Sequence, residues 1–200
     1  MIISYFGHSC FVLKGEYSIC IDPYKNIGYD LPEIKTDYYF CSHNHYDHNA
    51  YQKSMGKNAL YDDKFTKIKT FHDEEKGKLR GENLVLSFKT EGIKFTHLGD
   101  LGESENLDLI EKIKDTDVLF IPVGGNYTIN YKQALKYVEK INAKIIIPMH
   151  YKFGKSTVDI DGVENFLHEA SNFTIEKKDS PIKIELPLTG KKIIVLKAEV

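Results

Sequence analysis

The sequence predicts an α/β protein in which layered β-sheets are covered by helices. In the first half of the chain short apolar runs recur, each bounded by Gly, Pro, Asp or Lys, as expected of strands. From about residue 93 onward, apolar runs alternate with segments of helical periodicity, which is typical of βαβ units. The length of 200 residues suits a single domain spanning residues 1–200, and we find no linker or low-complexity run within it.

Several apolar segments have the composition of β-strands. Two of them flank Thr90-Glu91-Gly92, which predicts a β-hairpin with glycine in the turn. Others are rich in β-branched residues and predict strands that are buried on both faces. The predicted strands are Ile2–Phe6, Phe11–Leu13, Ser18–Ile21, Tyr38–Ser42, Asn83–Lys89, Ile93–Leu98, Val118–Val123, Lys144–Pro148 and Lys192–Leu196.

Three segments have the periodicity of amphipathic helices. Ser104–Lys114 places apolar residues at spacings of three, and its first residue is the expected N-cap. Tyr131–Ile141 has one apolar side, and Asn130 with Gln133 has the pattern of a capping box. Gly162–Ala170 also places its apolar residues on one face.

The composition argues against several classes of protein. A formal net charge of −2, from 27 basic and 29 acidic residues, does not indicate a nucleic acid or a membrane as the main partner. The N-terminus lacks the pattern of a signal peptide, and no stretch approaches the roughly 20 apolar residues of a membrane span. The chain has three cysteines and no Cys-x-x-Cys motif, which argues against a disulfide framework or a thiolate metal site. We therefore expect Cys10, Cys20 and Cys41 to be buried free thiols. These features predict a cytoplasmic protein. They leave open whether it is a monomer or a homo-oligomer.

Three of the eight histidines lie within six residues, directly after a predicted strand. Alternate residues of an extended segment point the same way, so His43 and His45 can share one metal ion. If the chain turns into a helix near Tyr46, Asp47 and His48 can reach a second point. Imidazole nitrogen and carboxylate oxygen together suit zinc, iron or manganese. A solvated loop that happens to be rich in histidine is the simpler alternative.

Further ligand-type residues follow other apolar runs. His72 comes after Thr66–Phe71, and Asp100 and His150 each lie just beyond a predicted strand. Taken singly, such residues are usually caps or surface groups. Taken together, they supply enough donors to complete two coordination shells.

Six stretches of the chain resemble the metallo-β-lactamase superfamily of metal-dependent hydrolases. Within that superfamily they are most similar to the UPF0173-type hydrolases and the ascorbate-6-phosphate lactonase group. The His-x-His-x-Asp-His motif is specific for the superfamily, and the other five stretches indicate the subgroup within it. The stretches are Gly7-His8-Ser9, Ile21-Asp22-Pro23, His43-Asn44-His45-Tyr46-Asp47-His48, His97-Leu98-Gly99-Asp100-Leu101-Gly102, Pro122-Val123-Gly124-Gly125-Asn126-Tyr127-Thr128 and Pro148-Met149-His150-Tyr151.

This resemblance implies a four-layer αββα sandwich with its site at one edge, between the sheets. It also implies a centre of two divalent metal ions, for which zinc is the first expectation, although manganese and iron suit the same donors. The implied ligands are His43, His45 and His72 for one ion, Asp47, His48 and His150 for the other, and Asp100 as the bridge.

The expected chemistry is hydrolysis by a water that two close divalent ions make reactive near neutral pH. Asp47 is the expected catalytic carboxylate, because it would bind an ion and also orient the nucleophile. A carboxylate at the second ion can pass a proton to the leaving group.

Several residues are candidates for supporting roles. Asp22 is expected either to accept a hydrogen bond from a ligand histidine or to serve only a turn with Pro23. His8 is expected to line the site and contact substrate. His97 is expected either near the site or buried and hydrogen-bonded in its strand, and His168 on the surface.

Two loops are candidates for binding an anionic substrate. Gly124, Gly125 and Asn126 form a turn that either presents backbone N–H groups to an anion or is only a tight turn. The basic and flexible loop 76–81 follows His72 and contains Arg80, the only arginine of the chain. That loop either closes over the substrate or is simply solvated.

Four functions remain open at this point. The subgroup resemblance favours hydrolysis of a phosphodiester or of a phosphorylated sugar lactone, with the corresponding small molecule or phosphodiester as partner. A thioester or lactam hydrolase is the second. A diiron redox protein is the third, although such relatives place Glu where this chain has His45. A metal-binding protein without turnover is the fourth.

Overall fold

A computed structural model describes residues 1–200 and confirms the layered α/β fold, which is built on two mixed β-sheets. The first sheet has six strands in the order β12-β1-β2-β3-β4-β5, where β1 is Ile2–Tyr5, β2 Phe11–Lys14, β3 Ser18–Ile21, β4 Thr36–Phe40, β5 Met55–Asn58 and β12 Ile182–Lys183. The second has seven strands in the order β11-β13-β10-β9-β8-β7-β6, where β6 is Thr66–Phe71, β7 Glu82–Thr90, β8 Ile93–His97, β9 Val118–Pro122, β10 Ile145–Met149, β11 Thr174–Asp179 and β13 Lys192–Lys197.

Every predicted strand is present, with shifts of one or two residues at its ends. Four strands lie outside that prediction. One is β6, which coincides with the run Thr66–Phe71 noted before His72, and the others, β5, β11 and β12, lack an apolar run. Only Met55 is buried in β5, β11 is a mostly exposed edge strand, and β12 has two residues. Pairing with a neighbour, rather than its own hydrophobicity, holds each of them in its sheet.

The three helices are α1 (Leu107–Ile113), α2 (Tyr131–Ile141) and α3 (Glu164–Glu169), and Ala59–Tyr61 forms a 3-10 turn. The expected cap at Ser104 is wrong: α1 begins later, because the side chain of Asn106 accepts a hydrogen bond from the backbone N–H of Leu109. The capping box of α2 is confirmed. Its Asn130 side chain accepts from the N–H of Gln133, whose side chain accepts in return from the N–H of Asn130.

The main core lies between the two sheets. Phe11 of β2 meets Phe120 of β9 with ring centroids 4.5 Å apart, and Tyr5 stacks on Phe11 at 4.7 Å. The helices pack beside the second sheet, where α1 contacts α2, α2 contacts α3, and α2 contacts β9. None of the three has the length and apolar character needed to cross a membrane.

A second, smaller core covers the outer face of the first sheet. There Cys10 and Cys20 are fully buried free thiols, as expected, whereas the third free cysteine, Cys41, is only half-buried. The residues that cover Cys10 and Cys20 include Tyr24, Ile27, Ile34, Val158 and Ile160, and none of these lies in a helix. The outer layer on this side is therefore irregular chain, where the resemblance implied a helical layer. Pro23, Gly28 and Pro32 oppose helix formation in the segment that follows β3.

We expect replacement of Asn130 by Ala to lower the free energy of unfolding by about 1 kcal/mol, because the first turn of α2 loses its cap. Urea denaturation followed by circular dichroism measures the change. The exposed Glu139 of the same helix provides the control, since its replacement by Ala is expected to stay within about 0.5 kcal/mol of wild type. Equal stabilities for the two variants would contradict the capping role.

Candidate metal centre

One carboxylate oxygen is the point on which the candidate site converges. The Nε2 atoms of His150, His48 and His72 lie 3.0, 3.2 and 3.3 Å from Oδ2 of Asp100. Nε2 of His43 lies 3.9 Å from the same oxygen. The loops after β4, β6, β8 and β10 supply these five residues, so segments far apart in sequence meet at one edge of the two sheets.

The structure brings all seven candidate ligands together in overlapping groups. Within each group, one donor atom from every residue lies within 4.8 Å of the others. The groups are His43, His45 and His72; His43, His48 and Asp100; and His8, Asp47, His48 and His150. The first set matches the donors expected at one ion. The last set contains the donors expected at the other ion, together with one additional histidine.

The segment after β4 divides its side chains between these groups. His43 and His45 point to the same side, with ring centroids 4.5 Å apart. The segment does not continue into a helix near Tyr46. It forms a turn in which the N–H of His48 donates to the carbonyl of His45 at 3.0 Å. This turn is sufficient to direct Asp47 and His48 toward the second group.

Asp22 fixes two of the imidazoles from beneath. Its Oδ2 lies 2.9 Å from Nδ1 of His48 and accepts the hydroxyl proton of Ser42 at 2.8 Å. Because that hydroxyl donates to Asp22, it accepts from Nδ1–H of His43, which lies 2.9 Å away. Both rings therefore present Nε2 to the centre. A turn role alone for Asp22 does not account for these contacts.

Two backbone features orient the remaining ligands. Nδ1 of His72 donates to the carbonyl of Tyr127 at 3.0 Å, which turns Nε2 of His72 toward Asp100. The N–H of Asp100 donates to Oδ1 of Asn83 at 2.9 Å. Gly99 has a φ of +56°, and a Cβ at this position would lie 2.4 Å from Oδ1 of Asn83, so only glycine fits there.

His97 supports the Asp100 loop without joining the cluster. Its Nδ1 accepts from the N–H of Gly99 at 3.1 Å, so its other nitrogen carries the proton and donates to the carbonyl of Ser9 at 3.0 Å. Burial lowers the pKa of His97, which keeps this ring neutral. Of the two roles left open for this residue, the buried and hydrogen-bonded one accounts for these contacts.

His8 lies behind the cluster instead of lining the cavity, so the structure does not support its expected contact with substrate. It is 1% exposed, and its Nε2 lies 3.1 Å from Nε2 of His48 and 3.3 Å from Oδ2 of Asp47. Its backbone has a φ of +52°, which is unusual for a residue other than glycine.

A cavity of about 630 Å³ opens over the cluster. Asp47 and Asp100 lie on its wall, and its lining also includes Arg80 and Tyr127. The guanidinium carbon of Arg80 lies 5.5 Å from the centre of the Tyr127 ring, and Arg80 makes no ion pair with a carboxylate. The backbone of the loop that carries Arg80 is hydrogen-bonded to a single side chain. The buried carboxylate of Asp73 accepts the N–H groups of Gly77, Leu79 and Arg80, and also that of the preceding Glu75.

Gly124, Gly125 and Asn126 do not line this cavity, so the expectation that they bind an anion is not supported. The N–H of Gly124 donates to the carbonyl of His150 at 3.0 Å, and a Cβ on Gly124 would lie 2.3 Å from that oxygen. The side-chain amide of Asn126 donates to the carbonyl of Asp159. The tight-turn interpretation accounts for these contacts, because the turn packs against the loop that carries His150.

Burial dominates the electrostatics of the imidazoles. It lowers the pKa of His43 to about 3 and that of His8 to about 4, so both rings are neutral and available as donors. Burial also acts to lower the pKa of His48, but the carboxylates of Asp100 and Asp22 outweigh it and hold this pKa well above its ordinary value. In the absence of a cation, His48 thus carries the proton that balances these two carboxylates. A bound cation would replace that proton.

The cluster also contains buried polar atoms that no protein group satisfies. They are Nε2 of His43, Oδ1 of Asp100 and Nδ1 of His150. Unpaired buried atoms of this kind are rare in native proteins, and a missing ion is one accepted explanation. Since the His43 and Asp100 atoms belong to the converging groups, and since the donors are nitrogen and carboxylate oxygen, the residues present fit a divalent metal ion.

Sequence reasoning missed three residues that position ligands, namely Ser42, Asn83 and Tyr127. The signal for Ser42 was its place directly before His43. Tyr127 acts through its backbone carbonyl, so its identity gives no clue to that contact. Asn83 begins a predicted strand, and only the tertiary fold brings it to Asp100.

Comparisons with known proteins agree with this architecture. A family model for the beta-lactamase superfamily domain matches residues 2–150. A UPF0173 metal-dependent hydrolase from Staphylothermus marinus is 32% identical, over 75% of this chain and 83% of the relative. The crystal structure of a metallo-β-lactamase superfamily protein from Thermotoga maritima is 31% identical. It superimposes with a TM-score of 0.80 and covers 99% of both chains.

We expect Asp22→Asn to weaken zinc binding roughly 10- to 100-fold, because His48 and Ser42 lose an acceptor that orients two imidazoles. Competition with a chromophoric chelator measures the affinity, and thermal unfolding of the metal-free protein checks the fold. Asp30→Asn is a matched control on the exposed part of the following segment. An unchanged zinc affinity in the Asp22 variant would exclude the orienting role.

Proposed function

This chain belongs to the metallo-β-lactamase superfamily and is a metal-dependent hydrolase, and we propose that it cleaves a phosphodiester or a phosphorylated lactone at a centre of two divalent ions. Such a pair, when bound, supplies Lewis-acid polarisation of the substrate and a water reactive near neutral pH. Zinc is the first choice, and manganese and iron suit the same nitrogen and oxygen donors.

The observation that carries the proposal is the convergence of four imidazoles on Oδ2 of Asp100. Oδ2 of Asp100 lies within 3.3 Å of His72 from one expected donor set and of His48 and His150 from the other, so this carboxylate would be available to both ions. The proposed ligands are His43, His45 and His72 for one ion and Asp47, His48 and His150 for the other, with Asp100 shared.

Asp47 is the proposed catalytic residue. Its carboxylate lies on the cavity wall with 15% of the side chain exposed, so it can reach both the cluster and a substrate. Burial raises its pKa, but the hydrogen bond with His8 and the nearby His48 outweigh this effect and hold the pKa below the usual range. Asp47 is therefore ionised at neutral pH. In this state it can orient a water, accept a proton from it and return that proton to the leaving group.

Arg80 supports a substrate that carries phosphate. It is the only arginine of the chain, it lines the cavity, and no carboxylate neutralises it. The bonds to Asp73 hold its backbone, and the ring of Tyr127 lies under its guanidinium. A planar guanidinium held in this way can bind two oxygens of a phosphate at once.

Hydrolysis of a thioester or a lactam is the alternative within the same fold. A thioester or a lactam carries no phosphate at the reacting group. Such a substrate would therefore offer Arg80 no negatively charged partner in the cavity. A redox centre or a protein without turnover remains the less favoured interpretation. A substrate panel can distinguish all of these possibilities.

We expect the metal-loaded protein to hydrolyse bis-p-nitrophenyl phosphate or a phosphorylated sugar lactone faster than a thioester. Chelation should abolish the activity, and added zinc or manganese should restore it. Asp47→Ala should lower kcat by at least about 100-fold, because proton transfer and orientation of water are lost together. Asp63→Ala, at an exposed position, should have no effect. An Asp47→Ala protein that keeps both metal and activity would refute the catalytic role.

We expect Arg80→Ala to raise KM roughly 10- to 100-fold for substrates that carry phosphate, the loss expected for a charge-assisted hydrogen bond. Uncharged lactones and thioesters should keep their KM. Arg80→Lys should recover only part of the loss, because a lysine is a point charge without a planar fork. Lys78→Ala, on the exposed part of the same loop, is the control. An unchanged KM for phosphate-bearing substrates would remove Arg80 from the proposal.

A further inference from the structure

We propose that His8 is a ligand of the second metal ion, which then has four protein donors of its own while the first has three. The inference rests on the proposed dinuclear function and concerns the same site. It starts from the group formed by His8, Asp47, His48 and His150, whose donor atoms all lie within 4.8 Å of one another.

The distances around His8 match those of ligands that share an ion. Its Nε2 lies 3.1 Å from Nε2 of His48 and 3.3 Å from Oδ2 of Asp47. Metal–donor bonds of about 2.0–2.1 Å at tetrahedral angles separate two donors by about 3.4 Å. A hydrogen bond to Asp47 alone would not require a second imidazole nitrogen at a similar distance. The His8 ring also lies against His150, with centroids 4.3 Å apart.

Backbone hydrogen bonds hold His8 in place. His8 has a φ of +52° and His150 a φ of +49°, a conformation that side chains other than glycine rarely adopt. The N–H of His150 donates to the carbonyl of His8 at 2.8 Å, and the hydroxyl of the buried Tyr5 donates to the same carbonyl at 3.1 Å. Two histidines of the donor group are thus tied to each other through the backbone.

The two sets of donors differ in number. Of the second set, Asp47 and His150 line the cavity, whereas His8 and His48 lie behind it, 1% and 0% exposed. With Asp100 shared, the second ion has five protein donors and the first has four. Because more protein groups would hold the second ion, we expect it to bind more tightly than the first.

The test compares wild type with His8→Ala and His8→Gln, and uses the surface variant His168→Ala as the control. Gln keeps an N–H donor for Asp47 but removes the imidazole nitrogen. Titration of metal-free protein with Co²⁺ against a chromophoric chelator gives the number and affinity of the ions. The visible absorption of Co²⁺ reports on their ligands. Thermal unfolding of the metal-free proteins checks the fold, and if the Ala variant fails to fold, the Gln variant carries the test.

Wild type and the His168 variant are expected to bind two Co²⁺ ions with unequal affinities. Both His8 variants should keep the weaker site and bind the tighter ion at least about 100-fold less well, with an altered absorption. Added imidazole should restore the spectrum of His8→Ala. A normal Co²⁺ affinity and a normal spectrum in His8→Gln would overturn the inference, because a hydrogen bond to Asp47 would then be enough to maintain the site. Normal Co²⁺ binding in His8→Ala would overturn it as well. A wild type that binds fewer than two ions would overturn both this inference and the proposed dinuclear centre.

Discussion

The buried carboxylate of Asp100 is the constraint around which the other parts of the site are arranged. A buried negative charge is costly unless positive or hydrogen-bonding groups surround it, and here four imidazoles do so. The imidazoles cannot satisfy it completely, since one oxygen of Asp100 and Nε2 of His43 stay unpaired. The cluster therefore keeps unpaired donor atoms of the kind that bind a divalent cation, at the edge where the strand-end loops of both sheets meet.

The geometry of the cluster comes from hydrogen bonds that lie outside it. Asp22 fixes His48 directly and His43 through Ser42, while a carbonyl of the turn beside α2 fixes His72. In each case the contact occupies Nδ1 and leaves Nε2 directed inward. Since the supporting groups come from both sheets, the relative position of the sheets determines the relative position of the donors. The packing of Phe11 on Phe120 between the sheets contributes to the site through this route.

The sequence predicted those parts of the molecule whose signal is local. Apolar runs identified the strands that bury their own side chains, and the spacing of His43 to His48 identified the donors of one loop. Strand ends identified His72, Asp100 and His150 as residues that could meet them. The roles of His8 and Asn83 could not be predicted, because each depends on which strands become neighbours. The composition of loop 76–81 also does not reveal that the buried carboxylate of Asp73 accepts hydrogen bonds from its backbone.

The irregular layer over the first sheet covers the smaller core and also forms part of the cavity wall. Val158 packs into that core and also lines the cavity, between Thr157 and Asp159. One wall of the cavity is thus built from a segment without regular secondary structure, whereas the ligands are anchored at strand ends. Loops tolerate insertions and substitutions better than strands do. Descendants of such a protein can therefore acquire new substrate preferences by altering this wall, while the chemistry they inherit is left intact.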